Sequence, residues 1–263
     1  MTSTTPTTLR PGLCSVTLRE HSRADVVELA RRNGLAAIEW GADRHVRPDD
    51  PAAVADAVER CRDAGVAIAS YGTYLRLGSG EDPGPVVSAA RALGAPRLRV
   101  WAGTVGSAEA GPEDRARVAA AGREVADRAA GQGLTVGLEF HGNTLTDTTA
   151  STLELLERID RPGVLGTYWQ PPVGLPADAA LAGLDEVRRH LVGVHAFSWW
   201  PATERLPLSA RRDLWDEVAR RLHGEPFDVL LEFVAGDAPD RLAEDAAELR
   251  ALLTTPGGAP TAP

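Results

Sequence analysis

Val136-Gly137-Leu138-Glu139-Phe140-His141 is a short apolar run that closes on a carboxylate. Similar endings recur in Ala36-Ala37-Ile38-Glu39-Trp40, Leu165-Gly166-Thr167-Tyr168-Trp169-Gln170, Val192-Gly193-Val194-His195 and Val229-Leu230-Leu231-Glu232. Runs this short and this continuously apolar read as strands covered on both faces, the kind found in parallel sheets. A carboxylate or imidazole ending such a strand is costly to desolvate unless a partner or an ion meets it. If the strands share one parallel sheet, Glu39, Glu139, Gln170, His195 and Glu232 meet at one end of it.

Outward from these runs, strand and helix signals alternate. The strands are expected over roughly 12–17, 36–40, 66–72, 97–102, 134–140, 164–169, 191–197 and 228–234. Ser22-Arg23-Ala24-Asp25 resembles a capping box, with Gly34 as the stop of that helix, and Asp50-Pro51 places a cap before a first-turn proline, with Gly65 closing the helix. Further helices are expected near 84–93, 112–130, 149–159, 177–190, 209–222 and 239–253. Eight strands alternating with eight helices in about 250 residues is the size of a closed α/β barrel, the (β/α)8 TIM barrel, as a single domain. A doubly wound sheet is the alternative. It is less well supported, because no glycine-rich phosphate fingerprint follows the first strand and the polar strand ends are scattered along the whole chain. The barrel is assigned to residues 10–253, with 1–9 and 254–263 as disordered tails.

The chain has 263 residues, 43% of them hydrophobic and 25% charged, enough to bury a large core. Its N-terminal stretch does not read as a secretory signal, no apolar run reaches the roughly 20 residues of a membrane span, and a cytoplasmic location is expected. A net charge of -9 argues against nucleic acid and for a small-molecule partner. Homo-oligomer formation is left open by the sequence. All 28 basic residues are arginine, which excludes Schiff-base and pyridoxal-phosphate chemistry for want of a lysine. The two cysteines, Cys14 and Cys61, do not make a disulfide framework and read as reduced packing residues.

Side chains alternate along a strand, so parity tests which polar groups share a face. Glu139 shares its face with Gly137, Gln170 with Tyr168, His195 with Gly193 and Glu232 with Leu230, so Glu139, Gln170, His195 and Glu232 form a ring at the C-terminal ends of strands five to eight. Two carboxylates, an imidazole and an amide carbonyl are a ligand set for one divalent ion, Mn, Mg, Co or Zn. The competing reading of any one buried Glu is a structural ion pair.

With these residues in place, the chain resembles the xylose-isomerase-like TIM barrel superfamily, the sugar phosphate isomerase/epimerase family, over Leu13 to Leu253. The most specific segment is Val136-Gly137-Leu138-Glu139-Phe140-His141-Gly142-Asn143-Thr144-Leu145-Thr146-Asp147-Thr148. The resemblance implies that Glu139, His195 and Glu232 are metal ligands. The sixth strand departs from the family pattern, which carries an Asp and, three residues on, a His; here Gln170 and Val173 stand there. Gln170 removes one negative charge from the ligand set, which puts the metal itself in question.

The resemblance further implies that Glu139 and Glu232 exchange a proton at a carbon next to a carbonyl, through an enediolate, in a metal-dependent isomerase or epimerase acting on a sugar, cyclitol or related hydroxy-carbonyl compound. The alternatives are a lyase, dehydratase or deglycosylating enzyme on the same barrel, or a metal-free non-catalytic barrel. Glu39 is read as a contact for a substrate hydroxyl or the partner of a nearby arginine. Tyr71, Trp101, Trp169 and Trp199 are read as pocket walls, His141 as a substrate hydrogen-bonding group and Arg205 as a ligand for phosphate or carboxylate.

Overall fold

The computed structural model describes residues 8–254. Eight parallel strands, β1 (Arg10–Cys14), β2 (Ala37–Gly41), β3 (Ala67–Arg76), β4 (Arg97–Trp101), β5 (Thr135–Leu138), β6 (Leu165–Trp169), β7 (Leu191–Ala196) and β10 (Asp228–Leu231), close into one barrel in that order, with β10 pairing to β1. Helices α1 (Arg23–Arg32), α2 (Pro51–Ala64), α3 (Gly84–Leu93), α4 (Pro112–Ala130), α5 (Thr149–Ile159), α6 (Ala177–Val187), α7 (Arg212–Leu222) and α8 (Pro239–Thr254) surround it. This is the expected (β/α)8 barrel. The expected tails lie outside the described residues, apart from Thr8, Leu9 and Thr254, the last of which ends α8.

The helices begin and end for the reasons their sequences suggest. Ser22 and Asp25 form a reciprocal capping box, and the Asp50 side chain accepts the amide of Ala53 ahead of Pro51. Gly65 and Gly94 end α2 and α3 in the left-handed conformation, φ 68° and 70°, which a residue with a Cβ takes only at a cost. Between β7 and α7 the chain adds a short antiparallel hairpin, β8 (Ser198–Trp199) with β9 (Arg205–Leu206), which sequence alone did not signal.

Two apolar clusters hold the molecule together. The larger fills the space between barrel and helices; the smaller, Cys14, Ala37, Ala69, Tyr168 and Leu230, lies inside the barrel. Tyr168 fills the middle of that interior because its neighbours are glycines: a Cβ on Gly137 would stand 2.5 Å from the ring and one on Gly193 2.7 Å. Below the ring Arg97 donates to the Tyr168 hydroxyl at 3.4 Å, and Arg10 pairs with Asp228 at 2.6 Å. The polar strand ends stand above it. Among the described residues no helix is long and apolar enough to cross a membrane.

Candidate active site

The ladder positions the polar residues. Although β5 and β10 end at Leu138 and Leu231, the next amides continue the pairing, Glu139 to the carbonyl of Val100 at 2.9 Å and Glu232 to that of Ala196 at 3.1 Å. Both carboxylates are thereby fixed at the C-terminal rim, where this architecture places its chemistry. Beyond Glu232, Phe233 adopts a left-handed φ of 58°, a strained conformation for a bulky side chain. Its amide donates to the Thr17 hydroxyl at 3.1 Å.

At the centre stands a residue the sequence reading did not single out. Arg99, on β4 and 4% exposed, donates through Nε to Glu39 at 2.8 Å and through a terminal nitrogen to Glu139. It fits because Gly72 faces it: a Cβ there would lie 2.6 Å from both the guanidinium and the Glu39 carboxylate. Ser70 donates to the second oxygen of Glu39 at 2.6 Å. Burial pushes the Glu39 carboxyl up, but Arg99, followed by His195, outweighs it and holds the group well below the ordinary carboxylate range. Burial likewise opposes the charge on Arg99, and Glu39 and Glu232 reverse that effect and raise its pKa.

His195 is fully buried, with Nδ1 3.0 Å from Gln170 Oε1 and 3.5 Å from Glu232, and Nε2 3.6 Å from Glu39. The ring leans on Tyr168, centroids 4.7 Å apart. Glu232 is 4% exposed, and among the described residues none donates a hydrogen bond to its carboxylate. Cys14 shares this layer, its Sγ 3.9 Å from Glu39; burial, then Glu39 and Glu232, push its thiol well up.

The structure brings Glu39, Glu139, Gln170, His195 and Glu232 together, with Glu39 at the centre of the set rather than at its edge. It corrects two pocket walls. Tyr71 points away from the barrel interior, its hydroxyl donating to the carbonyl of Val46 at 2.6 Å, while Ser70 beside it points inward. Trp169 is fully buried against Trp215 of α7, so Tyr168 is the inward ring on that strand. The other expected residues lie at the mouth. Trp101 stacks on His141, centroids 4.2 Å apart, with Arg76 4.7 Å from the Trp101 ring. The His141 Nδ1 bonds the carbonyl of Gly142 at 2.6 Å. Opposite, Trp199 packs on Phe233, and Arg205 lies over both rings, 5.4 Å and 4.6 Å away.

The donor set fits a divalent cation. Three buried carboxylates, Glu39, Glu139 and Glu232, face one guanidinium, which leaves the layer negative, and charges so buried need a counter-charge. His195 Nε2 is a buried nitrogen with no hydrogen-bond partner among the described residues, a group that a metal or a bound substrate would satisfy. Arg99 already serves Glu39 and Glu139, and Gln170 is engaged at Nδ1, where it orients the imidazole, so His195 and Glu232 are the groups best placed to hold an ion.

A sequence profile of the xylose isomerase-like TIM barrel family matches residues 27–171, just over half of the chain. The 3-dehydroshikimate dehydratase of Bacillus anthracis is 28% identical over 167 residues, 59% of this chain and 60% of that protein, so the chain matches about three fifths of that relative's length. Among solved structures, the probable 3-DHS dehydratase of petrobactin synthesis from Bacillus anthracis superposes with a TM-score of 0.80 at 22% identity, over 92% of this chain and 99% of that one. A D-psicose 3-epimerase superposes at 0.71 with 15% identity, over 95% and 100% of the two chains. A xylose isomerase-like barrel from Mycobacterium smegmatis in complex with magnesium gives 0.70 and 15%, over 95% and 98%. At these identities the solved structures share the fold.

Proposed function

The chain belongs to the xylose isomerase-like TIM barrel family, and from that premise we propose that it is a lyase that removes water from a hydroxylated cyclic ketone of the 3-dehydroshikimate kind. The observation that carries this reading is the inequality of the two rim carboxylates. Glu139 accepts a hydrogen bond from the buried Arg99 guanidinium, whereas Glu232 accepts none from the described residues. An oxygen committed to a buried guanidinium is not open to a proton, whereas Glu232, bound to an ion through one oxygen, would keep the other free to take one. An epimerase needs two proton carriers, one on each face of the substrate; an elimination needs one base and a path for the departing oxygen.

In the proposed reaction Glu232 takes the proton from the carbon next to the carbonyl, the electron pair forms the new double bond, and the C–O bond of the β-hydroxyl breaks as that oxygen takes the proton on from Glu232 and leaves as water. A divalent ion held by His195 and Glu232, with Gln170 orienting the imidazole, would supply polarisation of the carbonyl and charge for the developing oxyanion. Glu39, Ser70 and Arg99 keep the neighbouring charges in register. Trp101 and His141 form one wall against which a ring packs, and Trp199 with Arg205 forms the other, where a guanidinium over aromatic faces is placed to meet a carboxylate. The relative named a 3-dehydroshikimate dehydratase supports this reading over the isomerase and epimerase reading.

The test is incubation of the protein, supplied with Mn²⁺, with 3-dehydroshikimate and separately with ketoses in D2O. Dehydration aromatises the ring and gives a near-ultraviolet product band, which Glu232→Gln abolishes. Recovered ketose carrying solvent deuterium, with no loss of water from 3-dehydroshikimate, returns the reading to an epimerase.

A further inference from the structure

We infer that Cys14 is a ligand of the ion together with His195 and Glu232, which makes the centre a sulfur, nitrogen and oxygen site selective for zinc or cobalt over magnesium. This rests on the metal reading above and adds to it a ligand, a strand and a metal class.

The barrel closure carries the inference. β1 pairs with β10 in the register Gly12 to Leu230 and Leu13 to Leu231, so the next positions, Cys14 and Glu232, stand side by side at the rim. One ligand atom each from Cys14, His195 and Glu232 lie within 4.8 Å of one another, and the three side chains are 1%, 0% and 4% exposed. Ligands at about 2.0–2.3 Å from one tetrahedral ion are separated by somewhat less than that, so small rotamer adjustments close the site. His195 carries the sign of a missing partner: its Nε2 is buried without a hydrogen bond among the described residues, while the Glu232 carboxylate lies 3.5 Å from the other ring nitrogen. Among the described residues the Cys14 sulfur hydrogen-bonds to Glu39 alone, at 3.9 Å, too long to be a strong bond.

Chemistry decides the metal class. Gln170 offers a neutral carbonyl, so on the His195 side of the site it adds no charge. A thiolate from Cys14 adds that charge from the opposite strand and is a soft donor, which magnesium does not take and zinc and cobalt do. On binding, the S–H bond breaks, its proton passes to solvent, and the sulfur–metal bond forms from the sulfur lone pair with no change in oxidation state.

The test is Co²⁺ titration of the purified chain after chelator treatment and dialysis. A thiolate-to-cobalt charge-transfer band in the near ultraviolet is expected in the wild type and in Cys61→Ser, since Cys61 sits among the helix residues of α2. Cys14→Ser is expected to lose the band, keep the visible ligand-field bands, and bind Zn²⁺ more weakly by at least the roughly 10- to 100-fold that losing an outer partner costs. Because the chain has two cysteines, the band in Cys61→Ser alone identifies the sulfur even where Cys14→Ser does not fold. Cobalt bound without a charge-transfer band in the wild type overturns the Cys14 assignment and leaves the metal reading standing. Failure to bind cobalt or zinc at all overturns both.

Discussion

Arg99 shows where sequence reading stops at the scale of single residues. The carboxylates and the imidazole were legible because each ends an apolar run, where a polar group is out of place. In a chain whose basic residues are all arginine, the third residue of Arg97-Leu98-Arg99-Val100 carries no mark that sets it apart, and only the barrel shows that it is walled in by Gly72. Replacing Arg99 by Leu leaves Glu39 and Glu139 as buried charges without their common partner; unfolding in urea is expected to show a loss of about 3–5 kcal/mol. Gly137 makes a complementary case. Gly137→Ala drives a methyl into the Tyr168 ring and is expected to cost about 1–3 kcal/mol, recovered in part when Tyr168 is also replaced by Leu. A Gly137→Ala variant as stable as the parent refutes the packing argument.

At the scale of elements, boundaries followed local chemistry closely for helices and less closely for strands. Helices α3, α4 and α5 occupy the expected spans because glycines and caps punctuate them, whereas β1 begins at Arg10, two residues before its expected start, and β3 runs on to Arg76. The register between β2 and β3 shifts after Ile38, which turns Ser70 inward and Tyr71 outward; a bulge leaves no trace in a pattern of apolar residues. Asp50→Ala removes the cap of α2 and is expected to lower stability by about 1 kcal/mol in the same unfolding experiment. The segments flanking α1 are tied together by His45, 3% exposed, whose ring nitrogens meet the Ser15 hydroxyl at 3.1 Å and the His21 carbonyl at 3.0 Å. Burial holds its pKa below the ordinary histidine value. The unfolded chain therefore takes up this proton near pH 6.5 while the folded chain resists it, so stability is full above that pH and falls as the pH drops through it. His45→Gln is expected to flatten the decline in melting temperature between pH 7 and pH 5.

For the whole molecule, alternation of strand and helix made the barrel readable, since eight repeats in one chain leave few other closures. The depth of the site was not readable, because it depends on which side chain fills the barrel axis. If an ion binds the folded chain and not the unfolded one, Zn²⁺ at about a hundred times its dissociation constant adds about 2.7 kcal/mol, and a chelator is expected to lower the melting temperature of the loaded protein by about 5–10 °C. An unchanged melting curve removes the metal from the account. The Tyr168 ring with Gly137 and Gly193 also constrains how this chain can diverge. Three strands share one contact, so a larger residue at either glycine is blocked while the ring remains, and losing the ring first opens a void beneath His195. Mutational routes to a deeper pocket therefore pass through Tyr168 before the glycines, and laboratory selections that vary the three positions together should recover combinations that stepwise selection does not reach.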